Sequence, residues 1–261
     1  ARVALAGRRD DADVGVALAQ AAAEAWPTHG ALLRALASAH LRAGEHAKSI
    51  DILSAQFDKG PDRHHVLGLI EGVYCDMDRA AVAEDGSLAA FARLDASMLA
   101  RSSRAEDVVA RFLVGLRQLR QGQLDAAIAS MQTVRRALPQ ASRPLIHLAV
   151  AQQWRSDQAA ARAAIEGAIA LQPNDPAAHH ARAMIVARAD PPAARESLQR
   201  YLALARQPGR LQFSGQRHQA QAALARLERG VTPAEVRQPG QRPERPTAHS
   251  LADPMALPGP V

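Results

Sequence analysis

Cysteine, aromatic residues and long apolar runs are scarce in this chain of 261 residues, and each scarcity excludes a class of structure. The single cysteine, Cys75, excludes an internal disulfide framework and a metal site made of cysteines alone. Aromatic residues make up 3% of the chain, so the alternating β-branched and aromatic positions of a sandwich or barrel cannot be supplied. Because no stretch approaches roughly eighteen consecutive apolar residues, a transmembrane helix is excluded as well.

The abundant residues favour helices. Hydrophobic residues make up 48% of the chain, and alanine is the most frequent of them. Alanine, leucine, arginine, glutamine and glutamate are strong helix formers. Since many small side chains also let helices pack closely, we expect an all-α fold.

Charge is distributed unevenly along the chain. Residues 1–107 carry 12 basic and 16 acidic side chains, a net charge of −4. Residues 108–230 carry 17 basic and 7 acidic side chains, a net charge of +10. Lysine occurs only at Lys48 and Lys59, so nearly all of the positive charge is arginine. The basic second half is expected to attract anionic partners.

The chain begins with Ala1 and shows no charged-then-apolar signal segment. We therefore expect either a mature form after processing or a fragment of a larger protein. A cytoplasmic location and a periplasmic one, with a signal peptide removed before Ala1, both remain open.

A pattern recurs at a constant spacing along the chain. Each unit contains an apolar–small pair, a turn residue, a small residue, a large apolar residue four positions later, and a proline. The units are residues 30–63 with Leu36-Ala37, Gly44, Ser49, Leu53 and Pro61; residues 108–141 with Val114-Gly115, Gly122, Ala127, Met131 and Pro139; and residues 142–175 with Leu148-Ala149, Ser156, Ala161, Ile165 and Pro173.

This pattern predicts one helix–turn–helix hairpin per unit. Gly44 and Gly122 end first helices, where a left-handed cap favours glycine. Ala127 and Ala161 are expected where the two helices cross, because a larger side chain would push them apart. The prolines begin the next unit, where a missing N–H costs little.

The pattern resembles that of the tetratricopeptide repeat (TPR) family, which is Trp-x2-Leu-Gly-x2-Tyr, Ala-x3-Phe and Pro over about 34 residues. At the Trp place stand Leu33, Arg111 and Leu145, and at the Phe place Leu53, Met131 and Ile165. The resemblance implies a right-handed α-solenoid of degenerate bacterial repeats. It also implies a concave groove, lined by the first helices, that binds an extended peptide or a partner helix.

The expected organisation has a solenoid between an incomplete first repeat and a capped end. Residues 176–209 fit the repeat with one residue deleted, and residues 64–107 are ten residues too long, with the surplus near residues 75–85. The predicted segments are an incomplete repeat at 1–29 with a helix at about residues 11–26, a TPR-like solenoid at 30–210, a capping helix at 211–230, and a proline-rich disordered tail at 231–261.

The resemblance implies a partner-binding set on the first helices. Those positions are Arg34, Arg42, Phe112, Leu116, Arg120, Arg143, His147, Trp154, His180, Met184 and Arg188, with Ile146 and Val150 beside them. Arginine stands at one groove position in three units and Trp154 stands there in the fourth. Since a guanidinium binds carboxylates in bidentate fashion, we expect an acidic peptide with apolar anchors as partner. The competing interpretation is a solvated arginine face without a ligand.

Candidate metal and catalytic groups are weak. Adjacent residues on a helix point about 100° apart, so neither His64-His65 nor His179-His180 can chelate one ion alone. Asp76-x-Asp78 resembles the start of a calcium loop, but alanines stand where the next ligand and the glycine belong. Acids next to Cys75 would raise its pKa, and no nucleophile elbow or phosphate loop is present. We expect no catalytic residue, metal or cofactor.

The leading hypothesis is a non-enzymatic protein–protein interaction scaffold that acts in the assembly or regulation of a bacterial complex. One alternative is a repeat domain of a larger enzyme. Another is anion or nucleic-acid binding through the basic half, although the paired polar residues of RNA-reading repeats are not found. Homo-oligomers are also expected, because an incomplete first repeat leaves an apolar edge.

Overall fold

The computed structural model describes residues 2–25, 30–43, 45–59, 63–83, 107–205 and 214–229. All regular structure in these ranges is α-helical, which confirms the all-α expectation. The chain divides into two compact units, residues 1–94 and 95–261, each described by itself. Within the described ranges, no helix is both long and apolar enough to cross a bilayer. The predicted tail at 231–261 lies outside the described residues.

The first unit contains four described helices, each of which packs on the next. Its core includes Ile50, Leu67, Ile70 and Tyr74, all fully buried. The helices are α1 (Arg2–Ala25), α2 (Gly30–Arg42), α3 (His46–Lys59) and α4 (Arg63–Ala83).

The second unit contains seven described helices, and they too pack in chain order. Its core is rich in alanine, as the composition predicts. The helices are α5 (Val108–Arg120), α6 (Leu124–Ala137), α7 (Ser142–Trp154), α8 (Gln158–Leu171), α9 (Pro176–Val186), α10 (Pro191–Ala205) and α11 (Ser214–Glu228).

The helices recur with the period of the sequence pattern. The first helices α5, α7 and α9 begin at equal intervals along the chain, and the second helices α6 and α8 begin with that same interval between them. Helix α10 begins one position early, in the unit that is one residue short. Neighbouring first helices contact one another, whereas neighbouring second helices pack less closely. The first helices therefore form one layer and the second helices another; we call these the first-helix layer and the second-helix layer.

Aspartate side chains begin several of these helices. An N-terminal turn leaves backbone N–H groups without intrahelical acceptors, and an aspartate carboxylate satisfies one of them. Asp107 accepts from the N–H of Ala110 at 2.9 Å, and Asp157 accepts from that of Ala160 at 3.1 Å. Asp175 and Asp190 cap α9 and α10 in the same way.

Left-handed turns end two first helices at the same repeat position. Gly122 has a φ of 74°, and Ser156, at the equivalent place of the next repeat, has a φ of 67°. Glycine adopts this backbone without steric cost, which explains the residue at Gly122. The turn is therefore kept in both repeats, even where serine replaces glycine. Gly44, the other glycine predicted to end a first helix, lies outside the described residues.

One small residue per repeat is fully enclosed where the two helices of a hairpin cross. Ser49, Ala127, Ala161 and Ala194 all have 0% exposure. The Ser49 hydroxyl also donates to the Ala37 carbonyl of α2 at 2.8 Å. In these four repeats the large residue four positions later is buried as well, and these residues are Leu53, Met131, Ile165 and Leu198.

Gly115 shows how closely the first helix approaches the second. A Cβ at Gly115 would lie 2.8 Å from Met131 Cε and 3.1 Å from Ser130 Cβ. Such distances are shorter than van der Waals contact, so only glycine fits without movement. The apolar–small pair of the sequence pattern thus marks the hairpin interface.

Helices α1 and α4 both extend beyond the sequence expectation. Helix α1 begins at Arg2, well before the expected start near residue 11. The surplus residues were predicted to form an insertion between helices, yet residues 75–83 continue α4 up to Ala83. This stretch contains neither proline nor glycine and includes several strong helix formers. Part of the extra length is therefore additional helix, and residues 84–106 lie outside the described residues.

A charged cluster closes the turn between α2 and α3. Glu45 contacts His40 Nδ1 at 2.6 Å and accepts a hydrogen bond from Lys48. The hydrogen bond from Lys48, followed by that from His40, lowers the pKa of Glu45 below its ordinary value of 4.5. The ionised carboxylate is therefore favoured in the folded chain.

Asp175 joins two successive repeats. Its side chain accepts from the α9 backbone at Ala177 and from the Ser142 hydroxyl of α7 at 3.1 Å. It also lies 3.5 Å from the Arg143 guanidinium. The carboxylate is buried, and these contacts compensate in part for its loss of water, although the single Ser142 hydroxyl proton is shared with Gln172 Oε1 at 2.6 Å. These contacts fix the start of one first helix against the start of the next.

Replacing Gly115 with valine is expected to lower the free energy of unfolding by about 1–3 kcal/mol, because the side chain overpacks the α5–α6 crossing. Gly167 is the control: a Cβ there would lie at an ordinary 3.6 Å from Leu145 Cδ1. Gly167→Ala should raise stability by about 0.5–1 kcal/mol through helix propensity. Urea unfolding of the full chain measures both changes, and an unchanged Gly115→Val protein would contradict the close crossing.

Asp175→Ala is expected to cost about 2 kcal/mol or more, because a helix cap and the inter-repeat contacts are lost together. Asp190→Ala is the matched control, since exposed Asp190 caps α10 through Ala193. It should cost about 1 kcal/mol. Equal losses in thermal unfolding would show that the contacts to Ser142 and Arg143 contribute nothing.

Glu45→Gln is expected to lower stability slightly at neutral pH. The pKa of Glu45 is lowered by folding, so its carboxylate stabilises the folded chain above pH 4.5 and loses that effect as the pH falls through the lowered pKa. Because the side chain is partly exposed, the difference should stay below about 1 kcal/mol. Thermal unfolding across an acid-to-neutral pH series checks this: the variant and parent curves should converge in acid, and a constant offset would refute the ionic origin.

Candidate partner-binding site

The candidate site lies along the first-helix layer of the second unit, formed by α5, α7 and α9. Packed helices lie about 8–10 Å apart, so side chains at equivalent repeat positions recur at roughly that distance. A ligand running across the layer would therefore meet one side chain from each repeat. The candidate surface therefore arises because equivalent side chains recur from one first helix to the next.

Four of the expected partner-binding residues lie inside the solenoid. Phe112 and His147 have 0% exposure, and Leu116 and His180 have 1%. The Phe112 and His147 rings meet edge-on with centroids 5.6 Å apart. The His180 ring lies 5.0 Å from that of Tyr201. In this conformation these side chains support the layer from within and do not reach a ligand on its surface.

Three other residues occupy one repeat position at the carboxyl ends of the first helices. Arg120 is the last residue of α5 and Trp154 the last residue of α7. Arg188 follows α9 by two residues and is exposed, while Arg120 and Trp154 are half-buried. The negative end of a helix dipole favours cations, which suits both arginines to this place. We call Arg120, Trp154 and Arg188 the terminal row.

The other two members of the set that belong to the second unit lie differently. Met184 is half-buried one helical turn before Arg188, so it lies close to the terminal row. Arg143 stands at the opposite end of α7, eleven residues and about 16 Å from Trp154. Its guanidinium pairs with Asp175 at 3.5 Å, so it takes part in the inter-repeat contact.

Arg34 and Arg42 lie on α2 of the first unit. Their side chains are outside the described part of the chain, and their unit is described separately from the second. They remain predictions.

Two features of the site were missed by sequence reasoning. Arg117 is half-buried one turn before Arg120 and adds a second cation to the end of α5. The sequence could have revealed it, because Arg117 and Arg120 are three residues apart and therefore lie on the same side of the helix. The buried cluster at Asp175 was also missed, although an aspartate before a proline is a common helix start.

Acidic side chains in the second unit serve the fold. Residues 107–205 contain twelve arginines and seven carboxylates, a net charge of +5. Each carboxylate caps a helix or lies within ion-pair distance of Arg143, Arg155 or Arg182. The stretch as a whole is therefore positively charged. No group of three metal-ligating side chains occurs among the described residues.

The chain has distant structural likenesses to several known proteins. No protein-family model and no curated protein matches the chain. The C-terminal part of a TPR repeat-containing protein from Cytophaga hutchinsonii has 12% sequence identity and a TM-score of 0.43, covering 84% of this chain and 83% of that one. The TPR2AB domain of yeast Sti1, in a complex with pHSP90, has 15% identity and a TM-score of 0.41, covering 85% and 99%. By the regular recurrence of its own helix pairs, the chain has a TPR-like α-solenoid fold.

Proposed function

We propose that this chain is a non-enzymatic protein-interaction scaffold whose first-helix layer binds an acidic peptide with apolar anchors. The observation that carries the proposal is the terminal row, in which Trp154 stands between Arg120 and Arg188 at one repeat position. A partly exposed tryptophan supplies an apolar contact at low entropic cost, and tryptophan and arginine are frequent binding hot spots.

The spacing of the row defines the partner. Neighbouring first helices lie about 8–10 Å apart, and an extended peptide advances about 3.3 Å per residue. Each repeat therefore corresponds to roughly three peptide residues. A matching ligand has an acidic residue, an apolar residue three positions later and a second acidic residue three positions after that.

The chemistry of arginine fits this ligand. A guanidinium carries five N–H donors, so an arginine with an intramolecular contact keeps donors for a carboxylate. The excess of arginine in residues 107–205 would also speed the encounter with an acidic partner. The buried Phe112, Leu116, His147 and His180 would act indirectly, by holding the layer that presents the row.

Anion binding without a defined peptide is the second candidate. Exposed arginines on the second-helix layer favour it, namely Arg135, Arg136, Arg162 and Arg200. They lie on α6, α8 and α10, away from the first-helix layer, so variants can separate the two functions. Binding of this kind would depend strongly on salt.

Peptides of the form acidic-x-x-apolar-x-x-acidic are expected to bind the full chain more tightly than peptides with the acidic residues adjacent. Trp154→Ala should weaken binding at least tenfold, and Arg188→Glu should do so by adding repulsion. Fluorescence anisotropy with a labelled peptide library measures these affinities. The control is Arg162→Glu, which makes the same charge change on the second-helix layer.

Equal loss of affinity in Arg188→Glu and Arg162→Glu would contradict recognition by the terminal row and indicate general anion binding. A labelled single-stranded RNA gives the complementary measurement. If RNA binds at low salt and is weakened by Arg162→Glu more than by Arg188→Glu, the second candidate function replaces the first.

A further inference from the structure

Helix α7 carries a polar group next to Trp154 that the fold does not use. Gln153 directly precedes Trp154 and is half-buried, and its side-chain oxygen Oε1 is buried without a hydrogen-bond donor from the described residues. A buried carbonyl oxygen without a donor costs free energy, so native structures seldom keep one that serves no purpose. Gln153 is therefore a candidate contact for a ligand.

Gln153 lies on the same side of α7 as Trp154. Val150, Gln153 and Trp154 have the spacing i, i+3 and i+4, so they share one face of the helix. One repeat length away on either side stand Leu119 and Ala187, which are both apolar and buried. Among α5, α7 and α9, glutamine thus replaces the apolar residue only where the terminal row has tryptophan in place of arginine.

The neighbouring Gln152 also has an Oε1 without a donor among the described residues, but the hairpin itself explains it. One repeat earlier, Gln118 accepts a hydrogen bond from the Ser130 hydroxyl of α6 at 2.8 Å. In α8 the place of Ser130 is taken by Ala164, which has no hydroxyl to donate. By this equivalence Gln152 lies on the side of α7 toward α8, whereas Gln153 lies on the side of Trp154.

We propose that the apolar anchor of the acidic peptide is a tyrosine, whose ring packs on Trp154 and whose hydroxyl donates to Gln153 Oε1. This inference rests on the proposed function, because it names the side chain that the centre of the terminal row takes. Paired aromatic rings attract one another beyond the apolar area that they bury, and a buried tyrosine hydroxyl usually finds a hydrogen-bond partner.

Depth and charge select tyrosine over other anchors. Because Gln153 Oε1 lies below the surface, its donor has to stand at the far end of an apolar side chain. The phenolic O–H of tyrosine does so, whereas leucine and phenylalanine have no donor, and serine and threonine carry their hydroxyl close to the backbone. Lysine would add positive charge beside a stretch that already carries a net charge of +5 in residues 107–205.

Three peptides of the form acidic-x-x-anchor-x-x-acidic test this contact, with tyrosine, phenylalanine or leucine as the anchor. Fluorescence anisotropy with the full chain measures their affinities. The tyrosine peptide should bind the wild-type chain about three- to tenfold more tightly than the phenylalanine peptide, which is the gain expected from one neutral hydrogen bond. Gln153→Met has a side chain of similar size without a carbonyl, so it should bind these two peptides equally.

Gln152→Met is the matched control. It removes the neighbouring oxygen on the α8 side and should keep the preference for tyrosine. Thermal unfolding without peptide gives an independent measurement. Gln153→Met should not lower the unfolding temperature, because the oxygen that it removes accepts no hydrogen bond from the described residues.

The outcomes separate this contact from the proposed function. If none of the three peptides binds, the proposed function fails and the tyrosine contact fails with it. If all three bind and phenylalanine equals tyrosine, the proposed function stands and the tyrosine contact is wrong. The contact is also overturned by a tyrosine preference that survives in Gln153→Met, by one that is lost equally in Gln152→Met, or by a lower unfolding temperature of Gln153→Met.

Discussion

The crossing of two helices over one small side chain is the constraint on which this solenoid depends. Ser49, Ala127, Ala161 and Ala194 are fully enclosed at that place, and Gly115 lets Met131 approach where a Cβ would collide. A larger side chain would separate the hairpin and expose the Ala and Leu core on both sides. Because every hairpin closes in the same way, equivalent side chains recur at helix spacing, and that recurrence creates the surface on which partner binding is proposed.

Polar contacts also join neighbouring repeats. Asp175 ties α7 to α9 through Ser142 and Arg143, and Arg182 bridges Glu166 of α8 and Ser197 of α10. Arg182 stands one repeat length after buried Leu148. Every carboxylate of residues 107–205 caps a helix or lies within ion-pair distance of an arginine. Residues 107–205 carry a net charge of +5, which suits the proposed affinity for an acidic peptide.

The outermost described helices of the two units are covered differently. In the second unit α11 covers α10, with Ala220 and Leu227 buried. In the first unit α1 keeps the position of a second helix but has an open crossing place at Gly15. A solenoid gains stability from each neighbour it adds, so an uncovered helix face is the natural place for a further contact.

The sequence by itself determined the all-α class, the hairpin period, the crossing residues and the turn at Gly122, because close packing and left-handed backbone restrict residue choice locally. It did not determine where α1 and α4 begin and end, since helix formers continue past both expected limits. Nor did it separate Arg120, Trp154 and Arg188 from Phe112, Leu116, His147 and His180. All seven lie on or directly after first helices, and only the packing of one first helix against the next decided which of them are buried and which reach the surface.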